Sequence, residues 1–140
     1  MTRYEKLLLG ERSDLCLVVG DVTSTMACAI AAQKLHVRVA HVEAGIHSGD
    51  WTMPEEINRL VTDRLADLLL IPDQLSGENL RKEGVPEEKI VFVGNIMIDT
   101  LEANRERAAA LEIREIIRQN QVGSRQLAVG SQNTQVGNQQ

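Results

Sequence analysis

Aromatic residues are nearly missing from this sequence: one Trp, one Tyr and one Phe make up 2% of 140 residues. Proteins that grip single-stranded nucleic acid stack bases on several aromatic faces, so that class of partner is not expected. A basic excess is missing as well. The net charge is −5, which leaves no cationic stripe for a phosphate backbone. No apolar run approaches the roughly 20 residues that span a bilayer, so no membrane partner is expected either. The opening stretch MTRYEKLLLGER has too short an apolar segment, and no small-residue cleavage site, for a signal peptide. Cysteine is limited to Cys16 and Cys28 with no CxxC spacing, which supports neither a zinc site nor a redox motif. Both are expected as buried free thiols in a cytoplasmic protein.

What is present is ordinary for a globular domain: 43% hydrophobic and 25% charged residues. With so few aromatics, the core must be built from Leu, Ile, Val and Ala. Apolar runs at Leu15–Val19, Val37–Val42, Leu68–Ile71 and Ile90–Val93 read as strands, and the first of them as a strand buried on both faces. Between them, helical patterning covers Thr23–Leu35, a stretch from Met53 or Pro54 to Asp67, and Ser76–Glu83, with a turn over Val85–Glu88. In the second of these helices Ile57, Leu60, Val61 and Leu65 recur along one face. A helix ending near Glu11 precedes the first strand, and a long one over Ile98–Arg118 follows the last. Strands alternating with helices predict right-handed βαβ units and a parallel sheet, an α/β fold of the Rossmann-like kind over residues 1–120. The sheet is short and its leading helix abrupt, as expected of a chain entering a domain partway through. From Gln121 a seven-residue repeat rich in Gln, Asn, Ser and Gly predicts a disordered tail over 121–140.

Three segments gather acidic residues where strands end or helices begin: GDVTST (Gly20–Thr25), HVEAG (His41–Gly45) and MPEEINR (Met53–Arg59). In parallel α/β sheets, that rim collects the ligand-contacting groups. Each segment also has a structural reading. Asp21, Thr23 and Ser24 can cap the next helix. Glu43 ends a central strand and can pair with Arg59. Thr52 and Glu55 fit a capping box, and Glu55 lies four residues before Arg59, at ion-pair spacing. His41 and Glu43 offer a metal only two ligands, fewer than a site needs, so no metal is expected.

Taken in order and at their spacing, GDVTST, HVEAGIHSGD, MPEEINRLVTDRLADLLL and GENLRKEGVPEEKIVFVGNIMIDT resemble the bacterial, non-hydrolysing UDP-N-acetylglucosamine 2-epimerases, over roughly Leu15 to Glu102. The resemblance implies part of the N-terminal domain of a two-domain enzyme of the glycosyltransferase-B type. It implies UDP-N-acetylglucosamine as partner, held in a cleft between two domains, and homodimers. It further implies inversion at carbon 2 through elimination of UDP to a 2-acetamidoglucal and its re-addition. That route needs neither NAD nor a metal, serves cell-surface polysaccharide synthesis, and requires acid/base groups on two faces of the sugar. By motif the catalytic residues are Asp21, Glu43 and Glu55, with Arg59 binding substrate. Two positions depart from the family pattern: Ile46-His47 stands where Leu-Arg is common, and Trp51 where many relatives have Arg. The family's opening Gly-Thr-Arg-Pro-Glu segment and its second domain, with a catalytic histidine, are absent from these 140 residues. The chain therefore reads as a fragment supplying one wall of the site and inactive alone. A non-catalytic interaction domain and a nucleotide-sugar glycosyltransferase fragment are the alternatives.

Overall fold

The four apolar runs form four parallel strands, β1 (Leu15–Val19), β2 (Arg38–Val42), β3 (Leu68–Ile71) and β4 (Ile90–Phe92), hydrogen-bonded in the order β1-β2-β3-β4. This is a computed structural model that describes residues 2–11 and 13–119. The expected disordered tail lies outside those residues. Between the strands run α2 (Thr23–Lys34), α3 (Pro54–Leu65) and α4 (Gln74–Lys82), with α1 (Thr2–Gly10) before β1 and α5 (Ile96–Ala109) after β4. The chain divides into two units at the boundary between Met97 and Ile98. Among the described residues, no helix is long and apolar enough to cross a membrane.

Alanine decides how the core packs. Ala29, Ala31 and Ala32 of α2 are almost completely buried, as are Val39 of β2 and Leu69 of β3. Small side chains let the helix approach the sheet closely, and the dense interior rewards that approach. Tyr4 reaches down from α1 to place its hydroxyl 2.9 Å from Cys16 Sγ. Burial pushes the phenol above its ordinary value, and the Cys16 contact adds to that. Both cysteines are free, with Cys16 buried but Cys28 only half-buried.

Several expectations need correction. Leu15, Leu17 and Val19 are exposed while Cys16 and Val18 are buried, so β1 is covered on one face and not on two. β1 is an edge strand, and its Leu15, Leu17 and Val19 side chains stand on the exposed face. Helix α4 begins at Gln74, because Asp73 caps it by accepting from the Ser76 N–H at 2.8 Å. Helix α5 starts two residues early, where Asn95 Oδ1 accepts from the Met97 N–H, and stops at Ala109. No Gly or Pro marks that stop.

The largest departure lies in α3. The expected inner face of Ile57, Leu60, Val61 and Leu65 is not the buried one: Ile57 is exposed and the other three are half-buried. Glu56, Asn58, Arg59, Thr62 and Asp63 turn inward instead. The physical reason lies in the site that this helix walls.

Candidate active site

Strands β1 and β2 deliver two of the three acidic segments to one sheet edge. β1 ends at Val19 beside the end of β2 at Val42, so Gly20-Asp21 and Glu43 leave the sheet side by side. Gly20 has a positive φ of +69°, and a Cβ placed on it would lie 3.6 Å from Glu43 Oε2. The Glu43 carboxylate thus sits over the residue that precedes Asp21. Glu43 itself adopts φ +67°, in the left-handed region.

Helix α3 closes the group from the side. Arg59, 5% exposed, donates from its guanidinium to Asp21 Oδ2 at 2.5 Å and to the Glu43 carbonyl oxygen. Asn58 Nδ2 donates to the Asp21 carbonyl at 2.8 Å. One helix turn therefore holds the ends of both strands. Asp21, Glu55 and Arg59 line a single cavity of about 240 Å³, together with Met53 and residues 46–48 and 56. The structure brings these three together and places the Glu43 side chain just outside that lining, above Gly20.

The alternative structural readings of these residues are not realised. α2 has Val22 as its N-cap with no side-chain capping bond, so Asp21 is not spent there. α3 has Met53 as N-cap, and Thr52 bonds to Asp50 instead, donating its hydroxyl at 2.7 Å. Arg59 pairs with Asp21 and not with Glu55, and it meets Glu43 at the backbone rather than at the carboxylate. Glu55 is exposed at the mouth of the cavity, and neither its carboxylate nor that of Glu43 has a hydrogen-bond or ion-pair partner among the described residues. His41 is fully buried and offers nothing to a metal. Its Nε2 donates to the Gly20 carbonyl at 2.9 Å, and its Nδ1 meets Asp63 Oδ1 at 2.5 Å. Among the described residues no cluster of three or more His, Cys, Asp or Glu side chains could hold a metal ion.

Sequence reasoning missed the residues that support this group. Asp63 also accepts from the Gly45 N–H at 2.9 Å, so one carboxylate fixes both the β2 histidine and the loop that follows. Burial pushes its pKa up, but the bond from His41 and the closeness of the His47 ring outweigh that and hold it below the ordinary carboxylate value. Glu56 accepts from the Ser48 and Gly49 N–H groups at 2.9 and 3.1 Å. Burial opposes ionisation there too, and those backbone donors prevail. Gly45 packs so tightly on α4 that a Cβ would lie 2.4 Å from the Ser76 carbonyl oxygen, and its φ is +78°. Asn79 of α4 then donates to the Gly45 carbonyl at 3.0 Å. A signal for these residues existed: Glu56, Asn58, Arg59, Thr62 and Asp63 recur at helical spacing, as a polar stripe.

A family model described as UDP-N-acetylglucosamine 2-epimerase matches residues 1–131. The chain is similar to the UDP-N-acetylglucosamine 2-epimerase of Methanocaldococcus jannaschii, with 46% identity over 99 residues, covering 71% of this chain and 27% of that protein. It is also similar to the UDP-2,3-diacetamido-2,3-dideoxy-D-glucuronate 2-epimerase of Pseudomonas aeruginosa, with 45% identity over 102 residues, 71% of this chain and 29% of that one. The crystal structure of the M. jannaschii enzyme in complex with UDP-GlcNAc and UDP superimposes with a TM-score of 0.76 at 41% identity, over 83% of this chain and 32% of its own. The chain thus spans under a third of the length of each of these relatives. With the fold, the order of the three acidic segments and the match over 131 residues in agreement, the chain belongs to the UDP-N-acetylglucosamine 2-epimerase family.

Proposed function

We propose that the protein carrying this chain is a cytoplasmic 2-epimerase of UDP-2-acetamido sugars, with UDP-N-acetylglucosamine as substrate and UDP-N-acetylmannosamine as product. One observation carries this reading. Carboxylates from three separate elements converge on one rim, and two of them, on Glu43 and Glu55, are left without partners. An unpartnered carboxylate at a cavity can exchange a proton with a substrate, and Asp21, bonded to Arg59 through Oδ2 alone, keeps Oδ1 for the same role. Inversion at carbon 2 removes a proton from one face and returns it to the other. Asp21, Glu43 and Glu55 are the acid/base candidates, with Arg59 orienting Asp21 and meeting the anionic substrate.

The reaction runs through elimination of UDP to a 2-acetamidoglucal and re-addition after reprotonation, without NAD or a metal. In this reading the chain forms part of the first of two domains in a glycosyltransferase-B-type enzyme that works as a homodimer. Alone, the 140 residues supply one wall of the cleft and leave the sugar unchanged, because a closed nucleotide-sugar cleft draws its affinity from both walls.

The test is wash-in of deuterium at carbon 2. The matched segment of the M. jannaschii enzyme is replaced by this chain's residues, and the chimaera is incubated with UDP-N-acetylglucosamine in D2O. Exchange at carbon 2 that falls at least 100-fold (roughly the range for loss of a general acid or base) in Asp21→Asn, Glu43→Gln and Glu55→Gln supports the reading. Exchange that survives all three substitutions, or sugar transfer with carbon 2 untouched, rejects it.

A further inference from the structure

Within the loop between β2 and α3, one side chain is placed by nothing in the proposed chemistry. The ring of His47 is 8% exposed, and neither of its nitrogens has an aligned hydrogen-bond partner. Three carboxylates surround it instead. Glu56 Oε1 lies 3.5 Å from Nδ1, while Asp63 Oδ2 and Glu83 Oε1 lie 3.3 and 3.4 Å from Nε2. Two of these belong to α3 and the third follows the last turn of α4. At these distances, and off the line of a hydrogen bond, a protonated ring is held by charge and not by proton sharing.

The remaining charges near the ring are few. Arg64 shares a cavity of about 480 Å³ with His47, Glu56 and Glu83, and Arg59 shares the smaller one with it, alongside Asp21 and Glu55. His41 approaches the same Asp63 from the β2 side through its other oxygen. Arg59 is engaged with Asp21, and Arg64 forms no ion pair among the described residues. The group in contact with all three carboxylates is thus the His47 ring, a cation when protonated.

We infer that His47 is a positioning residue of the site: as an imidazolium it ties the 45–49 loop to α3 and α4, and on losing its proton it loosens that loop. The loop matters because its Ser48 and Gly49 N–H groups hold Glu56, and its Gly45 N–H meets Asp63. A neutral His47 leaves the buried Glu56 and Asp63 and the exposed Glu83 facing one another with no countercharge between them, and like charges repel most strongly at the two buried positions. The electrostatics agree with the geometry. Asp63, reinforced by Glu83 and Glu56, raises the imidazole's pKa against the burial that lowers it. Burial, Asp63 and Glu56 raise the Glu83 carboxyl, with His47 opposing them.

The sign follows from linkage. A histidine whose folded value is raised contributes stability that is fully present below its unfolded value, about 6.5. That contribution is lost as pH rises through the folded value. The loop is therefore tied at mildly acidic pH and loosens on the alkaline side. The bearing of this on catalysis rests on the function proposed above, whereas the tether itself does not.

The experiment is NMR on the 140-residue chain. The His47 ring is titrated, and amide exchange at Ser48 and Gly49 is followed across pH after correction for intrinsic exchange. The His47 midpoint is expected above 6.5, with protection of the two amides falling through that midpoint. The fall is at most tenfold for each unit of elevation. His47→Arg is expected to keep the amides protected throughout, and His47→Gln to hold them at the native chain's lower, alkaline level at every pH. A midpoint at or below about 6.5, or identical protection in the native chain and both variants, overturns the inference. If neither variant folds, the ring titration of the native chain decides alone. Failure of the tether is read at these amides, and failure of the proposed function at carbon 2 exchange, so the two are distinguished.

Discussion

The two faces of α3 are the reverse of what an amphipathic helix usually shows. Its inward face is polar, with Glu56, Asn58, Arg59, Thr62 and Asp63 buried, while Ile57 is exposed and Leu60 and Val61 are half-buried on the other side. With Trp51 and Leu65, those outer residues line an apolar hollow of about 320 Å³. Burying polar groups is unfavourable unless every one finds a partner. On the inner face each does: Asp63 meets His41 and Gly45, Arg59 meets Asp21 and Glu43, Asn58 meets Asp21, and Thr62 donates to the Asn58 carbonyl at 2.7 Å. This helix is oriented by hydrogen bonds to strand ends and a loop, and not by an apolar stripe seeking the core.

That contrast can be broken from the inside. Asp63→Ala is expected to have the largest effect, because it leaves His41 Nδ1 and the Gly45 N–H without their acceptor in a buried setting. Removing one member of a buried pair of this kind costs about 3–5 kcal/mol. Urea unfolding of the chain, followed by circular dichroism, would read this as a large drop in midpoint. A midpoint within experimental error of the native one would mean that the inner face does not hold the helix.

Arg59→Met should come next. It keeps the stem's packing but loses the bonds to Asp21 and to the Glu43 carbonyl, at about 1.5–3 kcal/mol for hydrogen bonds involving a charged group. The same unfolding curve measures it. Arg59→Lys should recover only part of the loss, since an ammonium cannot present the guanidinium fork that reaches both strand ends. The smallest effect belongs to the outer face. Ile57→Ser, at an exposed position, should change stability by no more than about 0.5 kcal/mol. If it proved as damaging as Arg59→Met, the outer face would be the one that packs.

The legibility of the chain in its sequence followed the same division. Apolar runs of four to six residues became strands within a residue or two, because a parallel sheet between helices demands them and little else produces them. The rim segments were legible as well, since strand ends bring Asp21 and Glu43 together whatever surrounds them. Hidden from periodicity was the rotation of α3 about its axis. Ile57, Leu60 and Val61 match an apolar face as well as Glu56, Arg59 and Asp63 match a polar one, and pattern alone gives no reason to bury the second. Only the positions of Asp21, Gly45 and His41, all remote in sequence, decide it. The exposed face of β1 was hidden for a related reason. A run of Leu and Val reads as doubly buried, and whether both faces of an edge strand are covered is a tertiary fact.

The left-handed backbone of Glu43 has a consequence for anyone who evolves or engineers this chain. Holding a residue with a Cβ at φ +67° costs on the order of 1 kcal/mol, a penalty that glycine would escape. A screen that rewards heat resistance alone would therefore favour Glu43→Gly or Glu43→Asn, and so discard one of the carboxylates proposed to move protons. Under the function proposed for Glu43, robustness and chemistry select opposite residues at this position.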